Sequence, residues 1–250
     1  KKKLRFAMRV AHSSLSLSGA GWSLSSPPAV HEPLPALVPN DIADDLERAG
    51  KVPDLWYGVH SMNESRWIWD RNWTLTRAFP TPSLPTGATA AASWLRFEGV
   101  DYSCEVRLNG RVLGSHVGAF EPFELEATGA LLPAGASRPN ALELTLHAPP
   151  TWVIAMLYPT SNATPAGYPM SNEGLDHCEV NRRMLKWRSR CNFWDFATKH
   201  WSSGIWRDVY LRQTAASARL AAEMAVRADL APPYAHANLT ATVRWRLLTS

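Results

Sequence analysis

Apolar and polar residues alternate with a period of two over most of this chain, and runs with the 3.6-residue period of a helix are scarce. ASWLRFEGV is followed by YSCEVRLNGRVLGSHV, where Asn109-Gly110 falls between two alternating runs and predicts a tight hairpin. FEPFELEATGALLPAGASRPNALELTLHAPP then supplies a strand, a Gly/Pro/Ser loop and a second strand whose Leu142, Leu144 and Leu146 share one face. Together these elements predict an all-β fold, an antiparallel sandwich. A short helix is expected in PNDIADDLERAG, which carries acidic residues in its first turn and Gly50 as its stop.

After the strand GIWRDVYLRQT the pattern restarts. ARLAAEMAVRADL and YAHANLTATVRWRLL are two strand-like segments separated by Pro232-Pro233, and they read as the opening of a further domain. The expected division is an N-terminal extension over 1–14, a sandwich domain over 15–213 and the first strands of a second sandwich over 214–250.

Composition narrows the picture. With 46% hydrophobic residues, 250 residues are enough to bury a large core. Twelve tryptophans and 19 prolines against 19% charged residues fit strands and loops with aromatic-lined surfaces rather than a helical bundle. The formal charge of +4 is modest and comes with no nucleic-acid motif, so no nucleic-acid partner is expected. Lacking a run of eighteen apolar residues, the sequence predicts no membrane span.

The chemistry gathers in CNFWDFATKHWSSGIWRDVYL, where Asp195 stands between Trp194 and Phe196. A carboxylate among large aromatics is costly to bury unless it is paired or faces a pocket. A sugar pocket would use both groups, since aromatic rings pack on the C–H faces of a pyranose and a carboxylate accepts bonds from its hydroxyls. The alternative is a core tryptophan beside a carboxylate that caps a turn or meets an arginine of the basic run NRRMLKWRSR. Trp206, Arg207 and Asp208 lie in the alternating run that follows, and a structural role is expected for them.

Cys178 and Cys191 flank one loop and form a candidate disulfide, whereas Cys104 lies in a strand and reads as a buried thiol. Four Asn-x-Ser/Thr sequons begin at Asn63, Asn72, Asn162 and Asn238 and lean towards a secreted or lysosomal route, with the cytoplasm as the alternative. No Ser-His-Asp signature, phosphate-binding glycine loop or metal-spaced Cys/His cluster is evident, and no cofactor is implied.

Three stretches, LVPNDIADDLERAGKVPDLWYG, ESRWIWDRNWTLTRAF and LRFEGVDYSCEVRLNGRVLG, stand in that order and are followed by GIWRDVYL. Over roughly residues 15–213 the chain resembles the N-terminal sugar-binding domain of family 2 glycoside hydrolases of the β-mannosidase type. The resemblance implies a galactose-binding-like jelly-roll sandwich followed by immunoglobulin-like domains. It also implies that catalysis, as a retaining exo-β-glycosidase acting on terminal β-linked mannose, resides on a later (β/α)8 barrel outside this sequence. Trp194 and Asp195 match a Trp-Asp pair that in such enzymes touches the terminal sugar. Here the surrounding wording departs from the family's, with Phe193 in place of a glycine, Phe196 in place of a second tryptophan and Ala197-Thr198 in place of Gly-Pro. Asn63-Glu64 and Asn172-Glu173 are read as coincidental likenesses to the family's acid/base dipeptide, because no alternating βα series surrounds them. A carbohydrate-binding or interaction module without a barrel, and a decayed glycosidase, are the alternative readings.

Overall fold

The computed structural model describes residues 12–58, 60, 64, 66–69, 71–84, 92–148, 202–215, 218–230 and 237–249. In chain order these form β1 (His12–Ser16), β2 (Gly19–Ser26), β3 (Val30–Val38), α1 (Ile42–Arg48), α2 (Arg66–Trp69) and β4 (Trp73–Phe79). Next come β5 (Ala92–Phe97), β6 (Val100–Asp101), β7 (Ser103–Leu108), β8 (Arg111–Val117), β9 (Phe123–Glu126) and β10 (Asn140–Leu146). The last four are β11 (Gly204–Ile205), β12 (Val209–Thr214), β13 (Ala218–Leu230) and β14 (Ala237–Thr249). No helix among the described residues is long and apolar enough to cross a membrane.

Two antiparallel sheets make the sandwich. One has the strand order β1-β12-β5-β9, the other β3-β2-β4-β10-β7-β8. Strands far apart in sequence are neighbours, with β10 inserted between β4 and β7, as a jelly-roll path requires. In β7, β10 and β12 every second side chain enters one shared core. Leu142, Leu144 and Leu146 do so from β10 as the alternation predicts, beside Cys104, Val106 and Leu108 of β7 and facing Leu95, Phe97, Val209 and Leu211 of the other sheet. Among the described residues two buried indoles are satisfied: Trp22 donates to the Leu17 carbonyl and Trp73 to the Ile68 carbonyl, each at 2.7 Å.

The predicted hairpin joins β7 to β8. Asn109 and Gly110 both take positive φ, 53° and 83°, which is why this dipeptide and not a β-branched pair occupies the turn. Its role extends beyond the turn. The Asn109 side chain donates to Asn140 Oδ1 at 2.9 Å, and Asn140 in turn donates to the Phe79 carbonyl and Thr81 and accepts from the Leu132 amide. A buried asparagine thereby has its amide fully used, tying together four distant segments of the sandwich.

One boundary and one element differ from the sequence expectation. β1 begins at His12 and pairs with β12, so residues 12–14, read as part of an extension, belong to the sheet. α2, a single turn, was not expected; Arg71 bonds to the Trp67 carbonyl just beyond it and sits over the Trp67 ring. β13 and β14 form a separate two-stranded sheet beyond the sandwich strand β12. Val226, Leu230, Leu239 and Val243 are 59%, 60%, 70% and 43% exposed along one face of that ribbon, while Arg227 and Asp229 pair on the other.

Candidate functional site: a carboxylate and tryptophan cleft at the sandwich end

A cleft of about 270 Å³ opens where α1, β6 and β11 converge, and its walls include Asn40, Asp41, Asp44, Trp56, Asp101 and Trp206 together with Ser202, Ser203 and Gly204. Each wall has a local cause. Asp41 caps α1, accepting a bond from the Ala43 amide at 3.0 Å with extended backbone angles, the geometry that a short acceptor side chain favours at this position. Acidic Asp44 occupies the first turn, where the helix dipole accommodates negative charge. The helix stops at Ala49, followed by Gly50 with φ 66°.

The start of α1 is pinned to β11. The Asn40 amide donates to the Ile205 carbonyl at 2.9 Å and the Ile42 amide to the Ser203 carbonyl at 2.8 Å. Beneath them lies Asp45, almost wholly buried, accepting from the Leu37 amide, the Asn40 side chain and Arg48 at 3.1, 2.8 and 2.7 Å. Burial pushes its carboxyl above the ordinary carboxylate range, and the three bonds pull against that. Asp45 is thus a staple between α1 and the end of β3, an assignment the sequence did not suggest beyond its i,i+3 spacing to Arg48.

On the opposite wall β6 pairs with β11, placing Asp101 directly across from Gly204. Asp101 is 4% exposed. Its Oδ2 accepts from the Ser202 hydroxyl at 3.3 Å, and its main-chain carbonyl accepts from the Ser203 hydroxyl at 3.1 Å. Trp206 donates from its indole nitrogen to the Ala119 carbonyl at 2.7 Å and lies over Gly99, where an added β-carbon would come within 2.8 Å of the ring. Phe120 meets Trp206 edge to face and Arg207 lies over its indole. Asp208 accepts from the Ser18 hydroxyl at 2.9 Å. Trp206 and Asp208 are bonded into the sandwich, Arg207 packs on the Trp206 indole, and Trp206 in addition contributes a ring to the cleft.

The sequence-derived candidates fall unevenly on this geometry. Trp194, Asp195, Cys178, Cys191, Asn162 and Asn63 lie outside the described residues. Asp195 stands seven residues before Ser202 in the chain. Asn72 and Asn238 are exposed, and Asn72 uses Oδ1 to accept from the Ala148 amide at 2.8 Å. Cys104 is a buried free thiol, pushed up to about 12 by burial. Glu64 is an exposed turn residue whose amide bonds back to His60. Asp101, Ser202 and Ser203 were missed because nothing in their local spacing distinguishes them from ordinary strand and loop positions.

Chemically, the cleft offers carboxylates and hydroxyls as hydrogen-bonding groups beside two tryptophan rings, a combination suited to a polyhydroxylated, neutral ligand surface. The strand order and this end-on cleft define a sandwich of the galactose-binding-like class. The chain belongs to the glycosyl hydrolase 2 galactose-binding domain-like family, whose model matches residues 22–207. It is 28% identical over 198 residues to beta-mannosidase A of Aspergillus terreus, covering 79% of this chain and 20% of that protein. Against mouse beta-mannosidase it is 28% identical over 207 residues, covering 80% and 21%. The chain thus spans about a fifth of the length of these curated relatives. Among solved structures, the β-D-mannosidase of Dictyoglomus thermophilum superposes with a TM-score of 0.64 at 19% identity, covering 95% of this chain and 31% of that one. A β-glucuronidase of Bifidobacterium dentium superposes at 0.53 with 24% identity, covering 96% and 37%, so the fold is shared by enzymes named for different sugars.

Proposed function

We propose that this chain is the N-terminal, non-catalytic portion of a retaining exo-β-glycosidase of the β-mannosidase type, which removes terminal β-linked mannose from oligosaccharides or glycoproteins. Its part in the reaction is to form one wall of the sugar pocket, with a barrel and immunoglobulin-like domains of the same protein as its partners. The observation that carries this reading is the cleft at Ser202, where two tryptophans and three aspartates gather at the end of a galactose-binding-like sandwich. In a retaining mechanism one barrel carboxylate attacks the anomeric carbon and a second acts as acid and then base. Trp194 would pack on the sugar ring and Asp195 would accept its hydroxyls, favouring a chain end over a chain interior. Such discrimination needs no catalytic group in this domain.

The test is made in the complete enzyme. Asp195→Ala should lower kcat/KM for an aryl β-mannoside roughly tenfold to several hundredfold, since bonds from hydroxyls to a carboxylate contribute about 1.5–3 kcal/mol each. The melting temperature should move little, because a pocket carboxylate supports no core. Unchanged kinetics in a folded variant would remove the sugar-contact role, and collapse of the fold would assign Asp195 to structure.

A secretory or lysosomal route is part of the same proposal, supported by the exposure of Asn72 and Asn238 at the heads of their sequons. Protein made in a glycosylating host should lose mass on endoglycosidase treatment. No mass change would refute that route.

A further inference from the structure

We infer that Asn72 is a glycan-bearing residue whose side-chain amide has two roles: Nδ2 carries the oligosaccharide while Oδ1 ties down the chain leaving β10. The inference rests on the secretory reading and singles out one sequon within it. In Asn72-Trp73-Thr74 the middle residue turns inward, 2% exposed, and its indole donates to the Ile68 carbonyl at 2.7 Å. Strand alternation then leaves its two neighbours on the outer side, Asn72 exposed and Thr74 half-buried. The main chain is held as well, since the Asn72 carbonyl accepts from the Ser26 hydroxyl at 2.6 Å.

The side-chain amide is oriented by its neighbour. The Ala148 main-chain amide donates to Asn72 Oδ1 at 2.8 Å, and a donor at that point fixes which end of the side chain is oxygen. Nδ2 lies on the other side of the amide, and among the described residues it meets no acceptor. Glycosylation uses that nitrogen alone. Transfer from a lipid-diphosphate-linked oligosaccharide breaks the bond from the anomeric carbon to the phosphate oxygen and forms the bond from that carbon to Nδ2. The lipid diphosphate leaves with the electron pair, and one amide proton is released. The carbonyl oxygen remains an acceptor, so the Ala148 bond persists beneath the glycan. A bulky, hydrated chain here commits the corner between the start of β4 and the end of β10 to solvent. The barrel and immunoglobulin-like domains of the proposed enzyme must then meet the sandwich elsewhere.

The complete protein, made in a glycosylating host, is treated with an amidase that leaves aspartate wherever a glycan was attached, and is then digested. The peptide carrying residue 72 is expected to read as aspartate. Thr74→Val, which keeps Asn72 but breaks the sequon, should lose one glycan's mass and return that peptide to asparagine. Should Thr74→Val fold poorly, Asn72→Asp takes its place and is read by the same loss of intact mass. In protein from a host that does not glycosylate, Asn72→Ala should melt about 2–4 °C below the parent, through loss of one hydrogen bond. Asn72→Asp keeps an oxygen for Ala148 and should melt near the parent. An unmodified Asn72 in protein whose other sequons carry glycans would overturn the inference and leave the secretory reading standing. Equal melting of Asn72→Ala and the parent would overturn the tie to Ala148. Protein bearing no glycan at any sequon would remove the secretory reading itself, and this inference with it.

Discussion

Gly204 lies against the carbonyl oxygen of Asn40 so closely that a β-carbon at position 204 would clash with that oxygen, and its φ of 153° lies in a region that side chains rarely adopt. The contact joins the loop entering α1 to the pairing of β11 with β6, and both residues line the cleft.

Gly204→Ala should therefore destabilise the sandwich by about 2–4 kcal/mol, since both backbone strain and overpacking act at one site. Gly135→Ala is the control, for φ is also positive there, 79°, yet nothing stands within 4 Å of the added carbon. Its cost should stay near 1 kcal/mol, the strain alone. Equal losses in urea melts of the two variants would show that the Asn40 contact contributes nothing.

The Cys104 thiol should be invisible to labelling in the native protein at pH 8 and reactive once the chain is unfolded. An unfolded thiol gives up its proton near 9, and the folded one holds it to about 12. Between those values the folded state binds more protons than the unfolded state, so stability falls as pH rises through that window. Cys104→Ala should flatten this decline. The proposed Cys178–Cys191 bridge is checked in the same experiment, because unfolded, unreduced protein would then expose one thiol, and three labelled thiols would exclude the bridge.

Ending the chain at residue 214 should leave cooperative unfolding intact and reduce self-association. β12 completes the sandwich at Thr214, while the ribbon beyond it exposes Val226, Leu230, Leu239 and Val243 on one face. Sedimentation and a urea melt of the shortened protein decide the matter. A lost or broadened transition would mean that the ribbon is integral to the sandwich.

Those features whose cause is local were legible in the sequence. Asn109-Gly110 announces its hairpin because two consecutive positive φ values exclude most other pairs, and the spacing of Leu142, Leu144 and Leu146 marks the inner face of β10. The acidic start and glycine stop of α1 were legible for the same reason. β1 was placed partly in an extension because HSSLS has a single large apolar residue, too few to show an alternation. Nothing in the sequence around Asn140 marks its role, for its partners come from Phe79, Thr81, Asn109 and Leu132. Asp101 is the plainest case at the site. Its serine partners stand about a hundred residues away, and only the folded chain brings them within bonding distance.

The pairing of β1 with β12 sets His12 opposite Thr214, so the path through the sandwich starts and finishes side by side on one sheet. Such a unit is suited to circular permutation. A short linker from 214 to 12 would close the ring, and new ends could open in the exposed turn around Gly135 without cutting a strand. It also means that the last sandwich residue, Thr214, stands next to the first, His12. The sandwich can thus be added to a larger protein, or taken out of one, by joining two neighbouring points.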